Sequence, residues 1–346
     1  MLELLERQAG LVPEQVDEPL RSAPLGYRRR ARLAVSTPHR GGKPRLGFRA
    51  AGSREIVAVG HCPVLVPPLL PLPGVLEETL AALQRPRGIE QVELALSESS
   101  EGMLNPVIHL HCAAVPVESD LTKLADLAAA HDAYLSLQTR GDFRVDARRP
   151  GTEERGYRLP EFGLRLEFGG GDFLQGNAEV NRRLVARVAE WLEERAGARV
   201  LDAFAGIGNF SLPLARRGFD VTGVELVAGM VSRARRNAER LGLQGAAFEA
   251  RDLLGGSGML QRLQYEVAVL DPPRRGAQTL VQELAANRTG TILYVSCSAP
   301  TLARDAAILG KAGYGLRRLA LVDMFPQTRH IESMALFVRG RATRAP

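Results

Sequence analysis

The stretch VLDAFAGIGNFSLPLA, residues 200–215, runs an apolar strand into a glycine-rich turn and on into the start of a helix. Similar texture continues on either side of it. Apolar runs ARVLDAF (198–204), FDVTGVE (219–225), EVAVLD (266–271) and TILYVSC (291–297) are each followed by a helix-patterned stretch, and a weaker run, AAFEA (246–250), sits between the second and third. Continuous apolar strands alternating with helices predict a mostly parallel sheet covered on both faces. In such sheets ligands bind at the carboxyl ends of the strands. Those ends carry Phe204 with Gly206 and Gly208, then Glu225, Asp252, Asp271 and Cys297. A row of polar groups along one edge predicts a site.

Gly206 and Gly208 let the backbone approach a ligand, and an acid about 20 residues further on can accept both hydroxyls of a ribose. Dinucleotide-binding and methyltransferase sheets share this arrangement. Ser211 stands where the dinucleotide fingerprint has its third glycine, and no phosphate-binding need is visible. The reading therefore tilts to a ligand that has adenosine but no pyrophosphate, which is S-adenosylmethionine.

Upstream the texture differs. Residues 1–24 read as a short N-terminal helix and a Pro-containing linker. Residues 25–172 read as a small α+β domain, with strand-like runs RARLAVS, LGFR and EIVAVG, further strands near 90–96, 106–112 and 133–138, and helices near 74–84 and 120–130. The strand–helix alternation occupies 173–346. At 346 residues the chain has room for about two domains, and 45% hydrophobic with 24% charged residues is a globular balance. No run approaches the roughly 18 apolar residues of a membrane span. The opening MLELLERQAG lacks the basic-then-apolar layout of a signal peptide, so the expected location is the cytoplasm and the expected state a monomer.

Residues 19–54 hold ten basic side chains (Arg21, Arg28, Arg29, Arg30, Arg32, Arg40, Lys43, Arg45, Arg49 and Arg54) and no acid. Only three lysines occur in the chain, so arginine bias contributes, but bias does not remove acids. A one-sign segment is the footprint of a polyanion, RNA or DNA. Cys62, Cys112 and Cys297 lie far apart, which excludes a zinc finger and argues against a disulfide framework. Cys62 and Cys112 read as core thiols. His61, His109 and His111 have no metal-ligand spacing to carboxylates, and no metal site is expected.

One chemistry needs the parts that are present. Carbon 5 of uracil is a poor nucleophile until a thiolate adds to carbon 6, and the adduct then needs a base to remove the carbon-5 proton. Cys297, Asp271 at the head of DPPRRG, and Glu332 in RHIESMALF supply a nucleophile and acids. With YRRRARLAV (27–35), CPVL (62–65), GDFLQGNAEVN (171–181), YVSCSAPTLARD (294–305) and DMFPQTRHIESMALF (323–337), the chain resembles the bacterial RNA (uracil-5-)-methyltransferases, most of all the branch acting on 23S ribosomal RNA. The resemblance covers nearly everything from residue 25 onward. It implies a Rossmann-like methyltransferase domain, Cys297 as nucleophile, Glu332 as proton-abstracting base, and Gln175, Phe204, Asn209, Glu225, Asp252 and Asp271 around the methyl donor, with Gln175 and Asp271 also near the flipped uracil.

Two departures stand out. Members of that branch usually carry an N-terminal β-barrel RNA-binding module and four cysteines holding an iron–sulfur cluster, whereas only Cys62 of that set is present, so no cluster is expected. Ser298-Ala299-Pro300 follows the nucleophile where the family usually has Asn-Pro-Ala. Alternatives are a uracil-5 methyltransferase acting on transfer RNA, an amino-group methyltransferase using Asp-Pro-Pro at 271–273, and a non-catalytic RNA-binding assembly factor that retains the fold.

Overall fold

The computed structural model describes residues 1–37, 42–50, 52–53, 55–140, 144–147, 154–255 and 264–340. The chain forms two compact units, one of Ala23–Arg158 and Glu167–Ala178, the other of Met1–Ser22, Leu159–Leu166 and Glu179–Pro346. Helix α1 (Leu2–Ala9) and strand β1 (Gln15–Val16) open the chain and belong to the second unit.

The first unit is built on β2 (Arg30–Ser36), β3 (Arg45–Arg49), β4 (Ile56–Ala58), α2 (Leu72–Ala82), β5 (Ile89–Glu98), β6 (Leu104–Cys112), α3 (Glu118–Ala130), β7 (Tyr134–Thr139) and β8 (Arg144–Ala147). Its seven strands lie in the order β4-β3-β2-β5-β6-β7-β8. Only β6 and β7 run parallel, joined through the crossover helix α3. Alternation along these strands sends Leu33, Val92, Leu94, Ile108, Leu110 and Leu137 into a core with Leu72, Leu76 and Leu80 of α2. The opposite face is polar. There Glu93, 3% exposed, accepts from Arg30 and Arg32. Burial would raise its pKa, but the two guanidiniums hold the carboxyl below the ordinary range.

Short strands β9 (Gly156–Leu159) and β10 (Leu164–Glu167) precede α4 (Ala178–Trp191). The second unit continues with β11 (Arg199–Ala203), α5 (Ser211–Arg216), β12 (Asp220–Glu225), α6 (Ala228–Arg240), β13 (Ala246–Ala250), β14 (Val267–Leu270), α7 (Gln278–Ala286), β15 (Thr291–Ser296), α8 (Ala299–Lys311), β16 (Tyr314–Val322) and β17 (Glu332–Arg339). The sheet order is β1-β16-β17-β15-β14-β11-β12-β13. All neighbours are parallel except β17, which runs antiparallel to both β15 and β16. This is the mostly parallel α/β architecture expected from the apolar runs, extended by β16, β17 and β1. A nine-residue link between β16 and β17 (323–331) has no crossover helix, so the second of the pair must return antiparallel.

Residues 1–24, read as a helix and linker, do more than link. Gln15 and Val16 pair with Arg318 and Leu319 at the sheet edge, and Leu5 and Leu11 join a core with Leu302 and Leu309 of α8. Among the described residues no helix is long and apolar enough to cross a membrane.

Candidate active site

The row of strand ends predicted for one edge is present in the second unit. Phe204 follows β11, Glu225 ends β12, Asp252 follows β13, Asp271 follows β14 and Cys297 follows β15. Glu332, on the other side of the nucleophile, is the first residue of β17. The antiparallel register puts Ser296 opposite Ser333, which sets Cys297 beside Glu332 although 35 positions separate them in sequence.

Glu332 is 8% exposed, and burial pushes its carboxyl up to about 7. Burial and the Glu332 charge likewise push Asp271 above the usual carboxylate range. The Cys297 thiol, half-buried, is raised by burial and then by the charges of Glu332 and Asp271; the Arg274 guanidinium works in the opposite direction. Three groups that repel one another's negative charge thus share a small space, and protons are retained there near neutral pH. Cys297 also sits just before the start of α8, whose free N–H groups favour an anion. Behind it, Ser296 Oγ and Thr301 Oγ1 both donate to the Ser298 carbonyl, at 3.0 and 3.1 Å, with Pro300 in the first turn. The departure at 298–300 therefore still makes a closed helix start.

The glycine turn is shaped by residues on either side. Phe204 adopts φ 68°, a left-handed conformation that strains a bulky residue, while its N–H and that of Ala205 both reach the Val224 carbonyl. At Gly208, φ 96°, a Cβ would stand 2.8 Å from Leu212, so glycine is required twice over. Glu225 spans the turn, accepting from Gly206 N–H at 3.1 Å and Val227 N–H at 3.0 Å. Asp252 accepts from Leu254 N–H at 2.8 Å. Asn209 exchanges two amide hydrogen bonds with Asn181 of α4, at 2.9 and 3.0 Å.

Sequence reasoning does not single out Asp202 or Asn181 as site residues. Asp202 is fully buried at the end of β11 and accepts from Ser211, the residue in the place of the third fingerprint glycine. Burial raises its carboxyl to about 7; the Ser211 bond lowers it, and the charges of Asp271 and Glu225 raise it further. A polar residue ending an apolar strand is the available signal.

This arrangement discriminates between ligands. Pyrophosphate needs free turn amides and positive potential. Here the Gly206 amide is spent on the Glu225 carboxylate, and the buried Asp202 and Asp271 offer an anion no positive charge. A donor with ribose hydroxyls and a cationic sulfonium fits such a setting, since each Glu225 oxygen has a lone pair left for a hydroxyl.

Gln175 belongs to the first unit. It is 8% exposed, and its carbonyl accepts from Arg29 Nε at 2.9 Å. Cys62 is half-buried against the first core and Cys112 fully buried, its thiol pushed up to about 11 by burial. His109 is buried and paired with Ser136 at 2.9 Å. Among the described residues no group of three or more His, Cys, Asp and Glu side chains is placed to hold a metal ion.

Residues 162–340 match the family model described as tRNA (Uracil-5-)-methyltransferase. The chain is 43% identical to the 23S rRNA (uracil(1939)-C(5))-methyltransferase RlmD of Pseudomonas fluorescens strain Pf0-1, over 97% of this chain and 72% of that protein. The chain belongs to the RNA (uracil-5-)-methyltransferase family. A second member, RlmD of Pseudomonas aeruginosa strain UCBPP-PA14, is 42% identical over 98% of this chain and 74% of that protein. The fold of this uracil-5 methyltransferase is that of the Pyrococcus abyssi tRNA (uracil-54, C5)-methyltransferase solved with S-adenosyl-L-homocysteine, with a TM-score of 0.70 and 23% identity over 97% of this chain and 81% of that one.

Proposed function

We propose that this enzyme methylates carbon 5 of a uridine in 23S ribosomal RNA, with Cys297 as covalent nucleophile and Glu332 as base. The observation that carries the reading is the register that sets Cys297 beside a buried, proton-retaining Glu332 at the edge lined by the glycine turn. The relatives' named activity supplies the substrate class.

Each group has a defined task. Cys297 gives up its thiol proton to solvent and adds to carbon 6 as the thiolate, its electron pair forming the C–S bond while the ring π pair moves to the O4 enolate and makes carbon 5 nucleophilic. S-adenosyl-L-methionine supplies an electrophilic methyl on a positively charged sulfonium. Glu225 holds the ribose of that donor, with Phe204, Asn209, Asp252 and Asp271 lining it. Glu332 then takes the carbon-5 proton, the C5–C6 double bond re-forms, and Cys297 leaves with the pair of the C–S bond.

The basic segment supplies RNA contacts, but not with all of its arginines. Arg29 is 3% exposed, bonded to Gln175 and stacked on Tyr157, and Arg30 and Arg32 are bound to Glu93. Arg40 and Arg54 lie outside the described residues. Lys43, Arg45 and Arg49 are exposed, and neither Arg45 nor Arg49 forms an ion pair among the described residues. Phosphate contact is assigned to these three.

The test is trapping. RNA carrying 5-fluorouridine at the target cannot lose fluorine as a proton, so wild type should form a stable adduct that peptide mass spectrometry places on Cys297. Adduct on Cys62 or Cys112, or none with any ribosomal or transfer RNA, sinks the reading; adduct with transfer RNA alone moves the substrate.

A further inference from the structure

We propose that Asp305 is a positioning residue for this reaction: its buried carboxylate locks the 271–277 loop against the strand and the helix that flank Cys297. The proposal rests on the reading of Cys297 and Asp271 given above.

Asp305 lies inside α8 and is 0% exposed. A carboxylate there is costly, because burial in an apolar setting disfavours charge and aspartate is a weak helix former. Its partners show what the cost secures. Oδ2 accepts from the Ala277 N–H at 2.9 Å and from the Tyr294 hydroxyl at 2.7 Å, and Oδ1 accepts from Arg304 Nε at 2.8 Å. Arg304 Nη2 in turn donates to the Arg275 carbonyl at 3.0 Å. The two neighbouring side chains of α8 therefore hold both sides of Gly276.

Gly276 is tailored to that grip. Its φ is +77°, and a Cβ would fall 2.5 Å from Arg304 Nη2 and 2.8 Å from Asp305 Oδ2. Its own N–H closes the turn onto the Pro273 carbonyl at 2.8 Å. The loop so fixed carries Asp271 at one end and Arg274 in the middle, and Arg274 Nη2 stands 3.4 Å from His330 Nε2, two residues before Glu332. Tyr294 lies three residues before Cys297 on β15, and α8 starts two residues after it. One carboxylate thus ties together the loop bearing Asp271, the strand leading to the nucleophile and the helix leaving it. The family's reaction needs all three in one geometry, and misplacement by about 1 Å can cost roughly 100-fold.

Asp305→Asn keeps the shape and one acceptor but turns an amide N–H₂ towards Arg304, which opens the grip on the loop. In single-turnover assays at saturating RNA and donor, its methylation rate should fall roughly 10- to 100-fold. KM for RNA should stay within about threefold of wild type, since no RNA-binding group is removed. The pH at which adduct forms on 5-fluorouridine RNA should also rise, because Arg274 no longer sits where it favours the thiolate. Arg304→Lys keeps the charge but loses the fork to Arg275, and should show the same pattern more weakly; it carries the test if Asp305→Asn does not fold. A folded variant with unchanged rate and pH profile, altered only in its melting temperature, overturns the proposal. Failure of wild type to form any Cys297 adduct overturns instead the reading on which it rests.

Discussion

Cys297, Asp271 and Glu332 each hold a proton more tightly than the free side chain does, chiefly because they are buried. Glu332 acts as a base only when ionised, and its pKa is raised to about 7, so the release step should accelerate as pH rises through about 7 and level off above it. Glu332→Gln should remove that dependence and leave methylated RNA attached to Cys297, visible as a protein–RNA band that survives denaturation; prompt release by this variant would falsify the base assignment. Asp202 offers a stability counterpart. Its folded pKa, raised to about 7, exceeds the unfolded value near 3.9, so its favourable contribution is complete below about pH 4 and is lost as pH rises through about 7. Asp202→Asn lacks this loss. In denaturant titrations its unfolding free energy relative to wild type should therefore improve from about pH 4 to about pH 7 and then level off. A difference constant across that range would mean that burial leaves the Asp202 pKa unmoved. Glu225→Ala removes a charge-assisted bond of about 1.5–3 kcal/mol, so donor affinity by calorimetry should fall about 10- to 100-fold with RNA affinity little changed; parallel loss of both would make Glu225 structural. The strand-end places of Cys297 and Glu225 are legible in sequence because the apolar runs mark where those strands stop. Asp202 and Asn181 are not, because their partners are Ser211 and Asn209, and such pairings exist only once strand and helix are packed.

Strands read as continuous apolar runs emerge where expected in the second unit, since a strand buried on two faces leaves a plain trace in sequence, whereas those of the first unit, polar on one face, show only as short runs bounded by Gly and Pro. β17 escapes notice as a strand. Its residues read first as a motif around Glu332, and nothing local says that a run of buried residues inserts antiparallel between two others. The amino-terminal helix is legible as a helix but not as part of the second core, because its apolar residues have no sequence neighbours to pack on. Leu5 is 0% exposed in that core beside α8. Leu5→Ala should therefore cost about 2–5 kcal/mol in chemical denaturation. A cost below about 1 kcal/mol would mean that α1 packs only loosely.

For the molecule as a whole, net charge of +6 masks an uneven division of labour among its arginines. Composition alone points to a nucleic acid along residues 19–54, and it cannot tell an arginine that reaches solvent from one that braces a sheet. With Arg29 and Arg30 engaged internally and Arg32 paired with Glu93, the paired change Arg45→Ala and Arg49→Ala should flatten the salt dependence of RNA binding by up to about 1.4 in log–log slope, about 0.7 for each contact to a single strand. Arg29→Ala should leave the slope alone and lower the melting temperature. A reversed result would return phosphate contact to the YRRR run.

The place of β17 has a consequence for biosynthesis. It fills the gap between β15 and β16, yet both of those strands precede it in the chain. A nascent polypeptide interrupted between Val322 and Glu332 therefore has the proposed nucleophile Cys297 but not the proposed base, and presents two long strands with open backbone edges. Such edges recruit other chains. Faulty translation products of this enzyme should accordingly be handed to chaperones and proteases rather than persist as species able to attack uridines without releasing them.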